Sequence, residues 1–132
     1  MANLRLVLVT PEKTLFDRPV ASIKVPMFDG SAGIYPHRAP LVGRLGMGEL
    51  TLTDEAKSSE SWLIEGGFVQ VKGEQVSVLT QAATLATDIS KSAAAEELAA
   101  AKAVTPTSPE EREALSVRLE KARQMQNLAQ AD

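Results

Sequence analysis

Residues 62–79 read Trp62-Leu63-Ile64-Glu65-Gly66-Gly67-Phe68-Val69-Gln70-Val71-Lys72-Gly73-Glu74-Gln75-Val76-Ser77-Val78-Leu79. Trp62 and Ile64 form one short run, Phe68, Gln70 and Val71 a second, and Val76, Val78 and Leu79 a third. Side chains on an extended backbone alternate between two faces, so an apolar spacing of two marks half-buried strands. Lys72-Gly73-Glu74 separates the last two runs as a turn, since glycine enters left-handed backbone without steric cost. This stretch is sheet.

The same period extends toward the N-terminus. Leu4, Leu6 and Leu8 alternate with Arg5, Val7 and Val9, and two partly apolar faces predict a strand covered on both sides. Ile23 and Val25 alternate with Ser22 and Lys24 until Pro26, and Leu50 and Leu52 alternate with Thr51 and Thr53. Thr10-Pro11, Asp29-Gly30 and Gly46-Met47-Gly48 read as turns between these runs. Strands at about 8–12-residue spacing, with turn signals between them and no long helix among them, predict an antiparallel β-sandwich of about ten short strands.

Toward the C-terminus the composition changes. All eight glycines lie between Gly30 and Gly73 and all five aromatics between Phe16 and Phe68, whereas fourteen of the nineteen alanines follow Gln81. Alanine is the best helix former, so the fold class is α+β: a sandwich domain over 1–87 and a helix-turn-helix hairpin over 88–132. The helices are expected at about 89–104 and 109–129, parted by Val104-Thr105-Pro106. Ser108-Pro109-Glu110-Glu111 starts the second. Ser108 caps, Pro109 stands where its missing N–H costs nothing, and Glu111 completes a capping box. Its apolar stripe is Leu115, Leu119, Ala122, Met125 and Leu128 or Ala129. Leu98 is the single large anchor of the first helix, so the hairpin reads as a weakly held, movable arm.

Charge and chemistry exclude several functions. The chain has 132 residues, with Lys+Arg 14 against Asp+Glu 17, a net charge of −3. Clustered cations for phosphate backbones are lacking, so a nucleic-acid partner is not expected. Cysteine is absent, which removes disulfides, thiol nucleophiles and cysteine metal sites. No stretch approaches the ~20 apolar residues of a membrane span, and Met1 to Arg5 show no signal or transit pattern. A soluble, cytoplasmic-type protein is expected. His37 is the only histidine and stands between Pro36 and Pro40, in a loop setting more often than a catalytic one. Gly43, Gly46 and Gly48 lack the order of a dinucleotide fingerprint and read as a turn. No catalytic residue, cofactor or metal site is expected. The exception to this blandness is the loop at residues 29–44, where glycines and prolines stiffen an apolar run suited to contact with another protein.

Several motifs stand in a familiar order. Leu6-Val7-Leu8-Val9-Thr10-Pro11-Glu12 opens the chain. Gly30-Ser31-Ala32-Gly33-Ile34-Tyr35-Pro36-His37-Arg38-Ala39-Pro40-Leu41 follows, then Ile64-Glu65-Gly66-Gly67-Phe68-Val69-Gln70-Val71 and the helical pair. In this the chain resembles the epsilon subunits of bacterial F-type ATP synthases, counterparts of the mitochondrial delta subunit. The family's usual Gly-His before Ala-Pro-Leu is His37-Arg38 here, and its usual glutamate is Ser31. Some relatives carry an ATP-binding Ile-Asp-x-x-Arg-Ala motif. The matching Ile89-Ser90-Lys91-Ser92-Ala93-Ala94 lacks the Asp and the Arg, so the groups that would orient ribose and phosphate are missing.

The resemblance implies a non-catalytic rotor subunit of the central stalk. It would join ion-driven turning of the c-ring to the catalytic head through the gamma subunit. Ser31, Tyr35, His37, Arg38, Pro40 and Leu41 are the expected contacts to gamma and to the c-ring loops. The hairpin would be a regulatory arm whose Arg112, Arg118, Lys121 and Arg123 meet a catalytic beta subunit and brake hydrolysis. The protein would sit peripherally at the cytoplasmic face of the cell membrane, touching the membrane only through partner subunits. The alternative from composition alone is a free-standing β-sandwich ligand-binding module or small enzyme.

Overall fold

A computed structural model describes residues 4–36 and 40–129 of the chain. Eight strands come first: β1 (Leu4–Val9), β2 (Thr14–Val20), β3 (Ser22–Met27), β4 (Gly30–Ile34), β5 (Leu41–Thr53), β6 (Ser59–Lys72), β7 (Gln75–Leu79) and β8 (Ala83–Leu85). A 3-10 turn at Ala86–Asp88 leads into α1 (Lys91–Lys102) and α2 (Pro109–Leu128). The expected helices are therefore present, the first shorter at both ends.

Eight strands replace the expected ten because the two longest absorb several runs. Trp62–Ile64 and Phe68–Val71 belong to one 14-residue strand, β6, which passes through Gly66 and Gly67 at φ +76° and +116°. Its first half pairs with β5 and β8, and its second half with β5 and β7. The hydrogen-bonded order is β2-β1-β7-β6-β5-β3-β4, with β8 beside β6. β5 and β6 thus run through both layers of the sandwich and tie them together.

Three further expectations are corrected. β1 lies parallel to β7, with Leu6 opposite Val76 and Leu8 opposite Val78. The remaining pairs are antiparallel. Gly43, Gly46 and Gly48 do not make a turn but lie inside β5. A side chain at Gly43 would overlap the Met27 side chain, and one at Gly48 would stand 3.0 Å from Pro26 Cβ. The glycines let β3 lie close across β5, where the β3–β5 register shifts. Likewise, the loop expected at residues 29–44 is largely strand, β4 and the start of β5.

The core explains the strand phases. Leu4, Leu6 and Leu8 of β1, Ile23 and Val25 of β3, Leu50 and Leu52 of β5, and Val76 and Val78 of β7 are buried in one cluster. β6 is different, because neighbouring Leu63 and Ile64 are both buried. Ile64 faces the sandwich core, while Leu63 points the other way into a second cluster with Ala86, Ile89, Ala94 and Leu128. That second cluster is the seat of the hairpin. Phe16 of β2 and Trp62 of β6, on strands that are not neighbours, close the sandwich edge at 5.6 Å between rings.

The hairpin's anchors differ from the one expected. Leu98 is only half-buried, and the buried side chains of α1 are Ala94 and Ala101, seven residues apart on one face. Small side chains there bring α2 close. The stripe of α2 is as read from sequence, with Ala122 and Leu128 buried and Leu115, Leu119 and Met125 half-buried. Ser108 Oγ accepts from the Glu111 amide at 3.1 Å. Glu111 does not complete the capping box on Ser108, accepting instead from the Thr107 amide at 3.1 Å and from the Thr107 hydroxyl.

Candidate functional site

The outer face of the layer containing β1, β7 and the second half of β6 carries an apolar row. Phe68 on β6 has Arg44 of β5 opposite it on one side and Leu79 of β7 on the other. Phe68 points outward because Val69 and Val71, in the opposite phase, fill the core. Phe28, just past β3, continues the row: its amide donates to the Arg44 carbonyl at 2.8 Å, and the Arg44 guanidinium lies 4.3 Å from its ring centre. Phe28, Phe68 and Leu79 are 65%, 59% and 50% exposed. Beyond Leu79 the row ends in a depression of about 320 Å³ lined by Val9, Pro11, Phe68 and Leu79. Val42, 72% exposed, stands one row away beside Gln70. Aligned exposed aromatics of this kind are characteristic of a surface that a partner covers.

Sequence reading did not single out Phe28, Phe68 or Leu79, whereas Val42 belongs to the apolar run at residues 29–44 that it read as a contact surface. A signal was present for Phe68, because with Val69 and Val71 inward the period of two sends Phe68 and Gln70 outward. Of the residues expected to meet partners, Ser31 is exposed on β4 opposite Pro26, and Tyr35 is 63% exposed just after it. Pro40 is exposed, while Leu41 is half-buried against the core and so contributes to the body as well. His37 and Arg38 lie outside the described residues. Ser31 and Gln124 of α2 line one depression of about 310 Å³, which brings the end of the hairpin near β4.

The four arm cations divide into two pairs. Arg118 Nε donates to Glu97 Oε1 of α1 at 2.6 Å, and Lys121 Nζ stands 3.3 Å from Glu65 Oε2 of β6. Arg112 and Arg123 are exposed. The Arg118 guanidinium bonded to it holds the Glu97 carboxyl below its ordinary value, and Glu97 in turn raises Arg118. Glu111 is lowered too, chiefly by the Thr107 hydroxyl and then by the Thr107 amide. A carboxylate lowered in the folded state stabilises above its unfolded pKa, and that stabilisation is lost as pH falls through the folded value. The hairpin should therefore loosen as pH drops below the ordinary carboxylate range. Helical circular dichroism followed from neutral pH to below that range should fall while the sheet signal holds, and an unchanged helix would contradict these pairings.

Ser90, at the position that the resemblance matches to an aspartate, serves the backbone instead. Its Oγ accepts from the Ala93 amide at 3.0 Å as the N-cap of α1. Among the described residues, no group of three or more His, Cys, Asp or Glu side chains is placed to hold a metal, and no helix is long and apolar enough to cross a membrane.

Residues 3–86 match the family model described as ATP synthase, Delta/Epsilon chain, beta-sandwich domain. The chain is 36% identical over 121 residues to a Rhodopirellula baltica protein named ATP synthase epsilon chain, covering 92% of this chain and 94% of that one. A Leptospira borgpetersenii protein of the same name is 36% identical over 105 residues, covering 80% and 82%. Among solved structures, a chain of the Euglena gracilis mitochondrial ATP synthase superposes with TM-score 0.87 at 23% identity, over 96% of this chain and 81% of that one. A chain from the central stalk and c-ring of the Tetrahymena thermophila mitochondrial enzyme gives TM-score 0.65 at 15% identity, over 96% of each.

Proposed function

The chain belongs to the ATP synthase delta/epsilon family, and on that premise we propose how it works as the epsilon subunit of the central stalk. It is a non-catalytic part of an ATP synthase. Its task is mechanical, and a sandwich whose two longest strands run through both layers suits a body that transmits torque without bending. The observation that carries the reading is the apolar row from Phe28 through Phe68 to Leu79, on a chain whose relatives are named ATP synthase epsilon chains.

In this reading gamma covers the row. Ser31, Tyr35, His37, Arg38, Pro40 and Leu41 meet the polar loops of the c-ring, and the chain turns with both. It then sits at the cytoplasmic face of the membrane, held there by partners. Family membership over nearly the full length of a curated relative outweighs a free-standing ligand-binding module.

The hairpin is the regulatory arm. Undocked, it carries Arg112, Arg118, Lys121 and Arg123 toward an acidic surface of a catalytic beta subunit. Single exposed pairs are worth about 0–1 kcal/mol, so braking needs several at once. The test is an assembled complex in which this chain stops after Thr87. ATP synthesis should remain coupled, and hydrolysis should rise severalfold. Unchanged hydrolysis removes the arm from the mechanism, and uncoupled synthesis removes the division between body and arm.

A further inference from the structure

Among the described residues, an apolar cluster and an ion pair join the hairpin to the sandwich. The apolar seat is small, since of its five buried side chains two are alanines, Ala86 and Ala94, leaving Leu63, Ile89 and Leu128. A cavity of about 420 Å³ opens beside it, walled by Leu63, Thr84, Ile89, Ala93 and Met125, with Glu97 and Lys121 completing its lining. The ionic contacts form an alternating chain of charges: Glu65 on β6, Lys121 on α2, Glu97 on α1 and Arg118 on α2.

The links of this chain respond differently to motion. Glu97 and Arg118 both belong to the hairpin, so their 2.6 Å bond travels with it. Glu65 belongs to the body, so its 3.3 Å contact with Lys121 must break whenever the hairpin leaves. Glu65 is also the less exposed partner, its side chain 20% exposed against 42% for Lys121, so this pair is less screened than an open surface pair.

We propose that Glu65 and Lys121 form a latch that sets how often the arm leaves the body, and that Lys121 is freed for an acidic partner only when the latch opens. An acidic surface then competes with Glu65 for one ammonium group, and the docked hairpin is autoinhibited as a binder. This consequence in the complex rests on the arm reading above, whereas the latch itself belongs to the isolated chain. It is tested there. The chain has no cysteine, so Glu49→Cys on β5 and Asn127→Cys on α2, both exposed positions, can be labelled as a distance pair in the full-length protein.

Raising salt from about 0.05 to 0.5 M should increase the undocked fraction about two- to fivefold. Glu65→Gln should produce the same rise at low salt and abolish most of the salt response. Lys121→Met should do likewise, and the double variant should add little to either single one. Leu128→Ala, which empties the apolar seat, should raise the undocked fraction while leaving the salt response in place. If Glu65→Gln changes neither the fraction nor its salt response while Leu128→Ala raises the fraction, the seat alone holds the hairpin and the latch is wrong. Failure of the arm reading would instead appear as unchanged hydrolysis in the complex truncated after Thr87, whatever the labels report.

Discussion

Gly67→Ala should destabilise the body by more than about 3 kcal/mol, a large share of the roughly 5–15 kcal/mol that holds a domain of this size folded. Two independent causes act at this residue. Its φ of +116° lies where a side chain is strained. In addition, a Cβ there would overlap the Leu79 carbonyl oxygen and stand 2.8 Å from Thr80 Cα, both of them backbone. Relief would require the end of β7 to move, yet Leu79 pairs with Phe68 on one side and Val9 on the other. Gly73→Ala is the control: its φ is +62° with nothing within 4 Å, so only the left-handed backbone is penalised, at about 1–2 kcal/mol. Urea midpoints at constant slope give both numbers. If Gly67→Ala lies within 1 kcal/mol of Gly73→Ala, the close approach of β6 to β7 is not what the glycine serves.

That residue also shows what could and could not be read from the sequence. Gly66-Gly67-Phe68 was visible as a motif, but glycine alone cannot distinguish a turn from a bend inside a strand. The difference depends on a strand arriving from elsewhere, here the end of β7. The same ambiguity misassigned Gly46-Met47-Gly48, where the glycines make room for Pro26 and Met27 on the neighbouring strand. Local patterns carry phase and turn chemistry, so β1, β3, the stripe of α2 and the Ser108 cap were legible. Long-range pairing was not. β1 joins β7 in parallel, and no turn signal encodes a pairing between strands so far apart in the chain. The Lys121–Glu65 contact was hidden for the same reason, since a cation on an exposed helix face looks the same with or without a distant carboxylate.

The proposed docking of gamma on the apolar row predicts the second large effect. Phe68→Asp should weaken binding of this chain to gamma by about 2 kcal/mol or more, roughly 30-fold in Kd. Phe68 occupies the middle of the row, with Leu79 on one side and Arg44, stacked on Phe28, on the other. Aromatic residues at the centre of a covered patch carry much of its binding energy, and a carboxylate placed there would be desolvated on docking. The fold should tolerate the change. Phe68 is 59% exposed and its strand neighbours Val69 and Val71 supply the core, so the urea midpoint should move by no more than about 0.5 kcal/mol equivalent. This separation of binding from stability makes the variant informative, and Leu41→Asp lacks it because Leu41 packs partly against the core. Tyr35→Asp supplies the contrast, being equally exposed but placed just beyond β4. Phe68→Asp should lower affinity for purified gamma and leave c-ring attachment of preassembled complexes intact, while Tyr35→Asp should do the reverse. If Tyr35→Asp alone weakens the gamma complex, gamma docks on the β4 end and the apolar row faces a different partner.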